Sequence, residues 1–169
     1  MNSLNPSISV ILPSYNRAHL IERAIQSVLE QTYYDLELII VDDGSSDNTE
    51  AVVRKLRDGR IRYVKHEIKS GANAARNTGI RVARGIFLAF QDSDDYWLPH
   101  KLEEQMRVFS SAPENVGVVY TGFWRIEGEE RTYIPSNEIK NKNGDVHKGL
   151  LAGNFVTTQA VLIKRECFK

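Results

Sequence analysis

Short apolar runs alternate along the chain with segments whose apolar residues recur at helical spacing. Ile8 to Leu12 (ISVIL) is nearly continuous in apolar residues, as in a strand covered on both faces. Leu20, Ile21, Ala24, Ile25, Val28 and Leu29 follow with the three-and-four spacing of a helix. Leu36 to Val41 (LELIIV) predicts a second strand. Asp47-Asn48-Thr49-Glu50 has the capping-box pattern and predicts a helix carrying Val52, Val53 and Leu56. A third strand is expected over Ile61 to Val64, a small-residue helix over Ala72 to Ala83, and a fourth buried strand over Ile86 to Phe90 (IFLAF). Pro99 fits the first turn of another helix with Leu102, Met106 and Phe109 on one face.

Strand and helix in strict alternation predict βαβ units, hence an α/β fold with a mostly parallel sheet. After Pro113 the pattern changes. Val116 to Arg125 and Arg131 to Ile134, with Gly128 between them, predict a hairpin. Asn141 to Gly144 predicts a polar loop, and Gln159 to Lys164 a last strand. At 169 residues the expectation is one domain.

Composition narrows the function classes. Lys+Arg 22 balances Asp+Glu 22, so no general polyanion-binding surface, and no nucleic-acid partner, is indicated. The single cysteine, Cys167, excludes an intrachain disulfide framework, and the four histidines show no HExxH spacing. No GxGxxG, GxxxxGK[ST] or GxSxG motif is present. Met1 to Pro6 lacks a basic and apolar leader, and no apolar run approaches membrane-spanning length. A cytoplasmic protein is expected, with peripheral attachment to a membrane surface left open.

Open parallel sheets bind ligands beyond the carboxyl ends of their strands, and three polar clusters fall there. Pro13-Ser14-Tyr15-Asn16 follows the first strand, Asp42 to Ser46 the second, and Gln91 to Asp95 the fourth. Asp92, Asp94 and Asp95 repel one another unless a cation is shared, and oxygen ligands suit Mg²⁺ or Mn²⁺; a solvated acidic loop before the next helix is the plainer reading. Asp42-Asp43 suits either a turn or the N–H of a nucleobase, and Tyr15 either stacks on a base or covers the sheet end. Asn16 serves as a helix cap or a ligand contact. Arg76, set among small residues, pairs with phosphate or with the acidic loop, or lies exposed on its helix.

Taken in order, ISVILPSYNR (Ile8–Arg17), ELIIVDDGSSDNT (Glu37–Thr49), GANAARNTGI (Gly71–Ile80) and ARGIFLAFQDSDDYWLP (Ala83–Pro99) resemble glycosyltransferase family 2. The resemblance implies a GT-A fold: a Rossmann-like, mostly parallel sheet flanked by helices, with a smaller mixed or antiparallel C-terminal portion. It implies a nucleotide-binding half over about residues 6–112 and the start of an acceptor-side portion over about 113–169. It implies inverting transfer of a sugar from a nucleotide-diphosphate donor, UDP above all, with help from Mn²⁺ or Mg²⁺. The acceptor it implies is a saccharide, a lipid-linked intermediate or a protein.

By the same resemblance, Pro13, Tyr15 and Asn16 contact the nucleobase and Asp43 binds it. Arg76 lies near the donor, and Asp92-Ser93-Asp94 is the DxD motif. There Asp94 ligates the metal while Asp92 holds the sugar or ribose side. The family base belongs to a Glu-Asp motif expected beyond Lys169; after Arg131 the only acids are Glu138, Asp145 and Glu166. The chain is therefore expected to be the donor-binding part of a longer enzyme, or a truncated product. A fragment that holds the nucleotide-sugar without turnover is the alternative. A sugar nucleotidyltransferase ranks below both, because the loop after the first strand is neither glycine-rich nor basic. A sheet edge and apolar surface left uncovered would favour a homodimer.

Overall fold

The computed structural model describes residues 5–136, 144, 150 and 154–168. The elements run β1 (Ile8–Ser14), α1 (Ile21–Leu29), β2 (Leu36–Asp42), α2 (Thr49–Lys55), β3 (Ile61–Lys65), α3 (Ala72–Val82), β4 (Phe87–Phe90), α4 (Lys101–Ser111), β5 (Val118–Tyr120), β6 (Phe123–Glu127), β7 (Glu130–Ile134) and β8 (Val161–Lys164). A six-stranded sheet has the order β3-β2-β1-β4-β8-β5, and β6 and β7 form a separate pair. β1, β2, β3 and β4 are parallel, while β8 runs antiparallel to both β4 and β5.

Every residue of β1 and β2 is buried, which accounts for their apolar runs. Alternate residues feed two cores. Val10, Leu12, Leu38, Ile40 and Ala89 face Ala24, Ile25 and Val28 of α1 and Leu102 of α4. Ile11, Ile39, Val41, Leu88 and Phe90 face Ala75 of α3. Each fully buried Ile or Leu contributes about 1.5–3 kcal/mol by leaving water. The small residues of α3 let it sit close: a Cβ on Gly79 would lie 2.4 Å from Ile11 Cγ2.

The chain leaves β1 toward β2 and β3, then returns to the other side of β1 to place β4. The carboxyl ends of β1 and β4 therefore flank the point where the strand order reverses, and such crevices hold ligands in open α/β sheets.

Four local expectations differ from the structure. The capping box at Asp47 does not close: Asp47 Oδ1 accepts the Thr49 N–H at 3.0 Å, but Glu50 bonds Arg54 and Lys65 rather than reaching back. Pro99 precedes α4 instead of entering it. The first turn is capped from a distance, by Gln31 Oε1 accepting the Leu102 N–H at 3.0 Å. The run Val116 to Arg125 divides, because β5 joins the main sheet through β8 and only β6 pairs with β7 as a hairpin. Gln159 and Ala160 form a 3₁₀ turn ahead of β8. Of the polar stretch Asn141 to Gly144 only Gly144 is described; Glu138 and Asp145 lie outside the described residues. Among the described residues no helix is long and apolar enough to cross a membrane.

Candidate functional site

The loops after β1 and β2 are zipped together. The Asn16 N–H donates to Ser45 Oγ at 2.8 Å, and Asn16 Oδ1 accepts the Ser46 N–H at 2.9 Å. Arg17 and Ala18 N–H groups bond Thr49 Oγ1 and Asp47 Oδ2. Asn16 is thus neither helix cap nor loose side chain. It holds a left-handed backbone, φ 51°, which Asn tolerates better than most residues. Pro13 is buried within β1 beside Val41. Tyr15, next in line, is half-buried, and the Lys69 ammonium lies 3.9 Å from its ring centroid.

Asp42 and Asp43 have separate duties. Asp42 Oδ1 accepts the Ser45 N–H at 2.8 Å and Oδ2 accepts the Tyr63 hydroxyl, so Asp42 builds the turn. Asp43 reaches the segment before α3. Its Oδ1 accepts the Ser70 N–H at 2.8 Å and His66 Nδ1 at 2.8 Å, and its Oδ2 accepts the Gly71 N–H at 2.7 Å. Burial pushes its pKa upward, but these three donors outweigh it and hold the carboxyl below its ordinary value.

Arg76 crosses from α3 to the acidic loop, donating from Nη2 to Asp92 Oδ1 at 2.6 Å. Its Nη1 donates to Asn73 Oδ1 at 3.3 Å, while its buried Nε–H meets no partner among the described residues. It lines a cleft of about 560 Å³ together with Asn73, Asn77, Phe90 and Thr157. A fixed guanidinium with an unmet donor beside a cleft suits an anionic ligand.

Three contacts shape the acidic loop besides Arg76 itself. The Asp95 N–H donates to the Asp92 carbonyl, and Arg23 Nη2 donates to the Asp94 carbonyl at 2.9 Å. Gln159 Nε2 donates to Asp95 Oδ2 at 2.6 Å. Ser93 is buried. Asp94 remains exposed. Desolvation raises the pKa of Asp95, and the charges of Asp94 and Asp92 push it the same way, despite Gln159. Repulsion of this kind favours a cation at the loop. Among the described residues no three acidic, histidine or cysteine side chains form a ready-made cage. Any ion held through Asp94 would draw most of its ligands from water and substrate, as Mg²⁺ commonly does.

The residues singled out from sequence converge at one sheet edge, in two clusters: Tyr15, Asn16 and Asp43 around the first two strand ends, and Arg76, Asp92, Ser93 and Asp94 around the fourth. Sequence reasoning missed His66, Lys69, Arg23 and Gln159. Gln159 lies 64 positions from its partner Asp95, and Arg23 lies 71 from Asp94. No local pattern flags such pairs.

The family model described as "Glycosyl transferase family 2" matches residues 9–169. The chain belongs to glycosyl transferase family 2. It is 44% identical over 154 residues to the Escherichia coli UDP-Glc:alpha-D-GlcNAc-diphosphoundecaprenol beta-1,3-glucosyltransferase WfgD, covering 91% of this chain and 52% of that protein. It is 38% identical over 140 residues to the uncharacterized glycosyltransferase EpsJ of Bacillus subtilis, covering 81% and 40%. The chain thus spans about half or less of the length of these relatives. Among solved structures, S. aureus TarS 1-349 in complex with UDP-GlcNAc superposes with a TM-score of 0.79 at 23% identity, over 94% of this chain and 45% of that one. That likeness shows the fold, a GT-A-like mixed sheet flanked by helices. The mannosyltransferase PcManGT of Pyrobaculum calidifontis, solved with GDP-Man and Mn2+, matches at 30% identity with a TM-score of 0.62, over 70% and 36% of the two chains.

Proposed function

We propose that the chain binds a UDP-sugar and forms the donor half of an inverting glycosyltransferase. The observation that carries this reading is the convergence of Tyr15, Asp43, Arg76, Asp92 and Asp94 at the carboxyl ends of β1, β2 and β4, where the strand order reverses. Pro13, Tyr15 and Asn16 form the wall against the nucleobase, and Asp43 accepts its N–H. Arg76 fixes Asp92, which faces the ribose or sugar, and Ser93 lies buried between the two aspartates. A hard divalent cation, Mn²⁺ or Mg²⁺, fits the exposed oxygen donor of Asp94 and would supply positive charge against the leaving diphosphate. The E. coli relative, named for a diphosphoundecaprenol-linked GlcNAc acceptor, supports a lipid-linked saccharide as the acceptor class. No proton acceptor for the attacking hydroxyl is assigned within this chain.

Calorimetric titration of UDP, with and without Mn²⁺, tests the donor site. Binding should strengthen about tenfold or more with Mn²⁺, and Asp94→Ala should abolish that gain while leaving metal-free binding in place. Metal-independent binding unchanged by Asp94→Ala would retain the nucleotide site and remove the metal assignment. Absence of UDP binding would remove the donor reading.

A further inference from the structure

His66 has no part in the sequence patterns above, yet it sits between two sides of the candidate site. Its Nδ1 is 2.8 Å from Asp43 Oδ1, and its Nε2 is 3.0 Å from Thr78 Oγ1 on α3. The Thr78 oxygen also receives Arg81 Nη2 at 2.8 Å. A guanidinium only donates, so Thr78 accepts from Arg81 and its own hydroxyl proton is available to His66 Nε2. An ionised Asp43 only accepts, so His66 Nδ1 carries the proton it donates, and Nε2 of the neutral imidazole takes the Thr78 hydroxyl proton. Arg81, Thr78, His66 and Asp43 therefore form one directed hydrogen-bond chain.

The consequence falls on Asp43, whose side chain is 2% exposed. Its Oδ1 takes two donors, His66 Nδ1–H and the Ser70 N–H, which occupy both lone pairs. Its Oδ2 takes only the Gly71 N–H and keeps one lone pair. One remaining acceptor site matches one imino N–H. Uracil offers that group at N3; cytosine presents a bare acceptor at N3, which would face the carboxylate lone pair. We propose that His66 is a positioning residue for base recognition: it saturates and orients Oδ1 so that Oδ2 of Asp43 reads an imino N–H, selecting uridine over cytidine nucleotides. The proposal rests on the donor-site reading above and adds the source of its base selectivity.

The test is calorimetric titration of the purified 169-residue chain with UDP and with CDP, in Mn²⁺, for the parent, His66→Ala and His66→Gln. Thermal melting of each protein verifies that it is folded. The parent should prefer UDP by about 10- to 100-fold, the discrimination that one charge-assisted hydrogen bond supplies. His66→Ala should bring the two affinities to within about threefold, mostly through loss of UDP binding. His66→Gln, whose amide can donate to Asp43 and accept from Thr78, should restore most of the preference. Equal losses for UDP and CDP in His66→Ala would mark a merely structural histidine and overturn the proposal, as would an unchanged ratio. A parent that binds both nucleotides equally would overturn base reading by Asp43, and His66 positioning with it. A parent that binds neither would instead overturn the donor-site reading on which the proposal rests.

Discussion

Arg76 illustrates how far a single residue can be read. Its setting among Ala72, Ala74, Ala75 and Gly79 marks it as out of place in a packing helix. The pairing with Asp92, 16 positions on, selects the acidic loop among the alternatives that the sequence leaves open. Arg76→Ala should lower UDP affinity about tenfold or more while shifting the urea midpoint only slightly, since the pair is partly exposed. Calorimetry and urea unfolding separate the two effects; unchanged affinity would confine Arg76 to shaping the loop. Asp42 and Asp43 are adjacent and chemically identical, so local pattern offers no way to divide their duties. The turn reading holds for Asp42 because Ser45 and Tyr63 lie within its reach, and Asp43 instead ties down Ser70 and Gly71.

At the scale of elements, periodicity places β1, α1, β2, β3, α3 and β4 within a residue or two of their observed ends. Those elements are strongly patterned, and their apolar faces are buried or, in β3, half-buried. Small residues in α3 likewise predict a close approach to the sheet, and the contact of Gly79 with Ile11 bears this out. Gly79→Ala should destabilise the fold by about 1–3 kcal/mol, because the added methyl meets a packed side chain within the core. Equilibrium urea unfolding measures it, and a loss below about 0.5 kcal/mol would mean that α3 shifts freely. Periodicity fails where a choice of partner is at stake. Alternation in Val116 to Arg125 states which residues share a face, but β5 and β6 find different partners. The cap of α4 is illegible for a related reason: Gln31, which supplies it, lies 71 positions before Leu102.

Across the whole molecule, buried polar residues join elements that the apolar pattern treats as independent. Glu37, on β2, accepts from Ser9 Oγ on β1 at 2.6 Å, from Arg62 Nη1 on β3 at 2.7 Å and from the Arg84 N–H at 2.8 Å. Burial raises its pKa, but these donors prevail and hold it below its ordinary value, as they do for Asp43. The unfolded chain therefore takes up protons at these sites before the folded chain does. Their stabilisation is complete above the ordinary carboxylate range near pH 4 and drains away as pH falls through the lowered native values. The urea midpoint should fall on acidification through that window, with a shallower slope in Glu37→Gln; an identical slope would assign the loss to other groups. Gln105 plays a comparable part at the antiparallel side. Its Nε2 donates to the Val119 and Ala160 carbonyls, tying α4 to β5 and to the turn before β8.

The amino-acid sequence by itself determined the α/β class, the alternation of strands and helices, and which polar clusters stand beyond strand ends. Each follows from local periodicity and turn chemistry, which act over a few residues. Tertiary structure decided the order β3-β2-β1-β4-β8-β5, the pairing of Arg76 with Asp92, the tether from Gln159 to Asp95, and the chain from Arg81 through His66 to Asp43. These contacts join residues distant along the chain. Their partners are chosen by how helices and strands pack, and no short stretch of sequence carries that information.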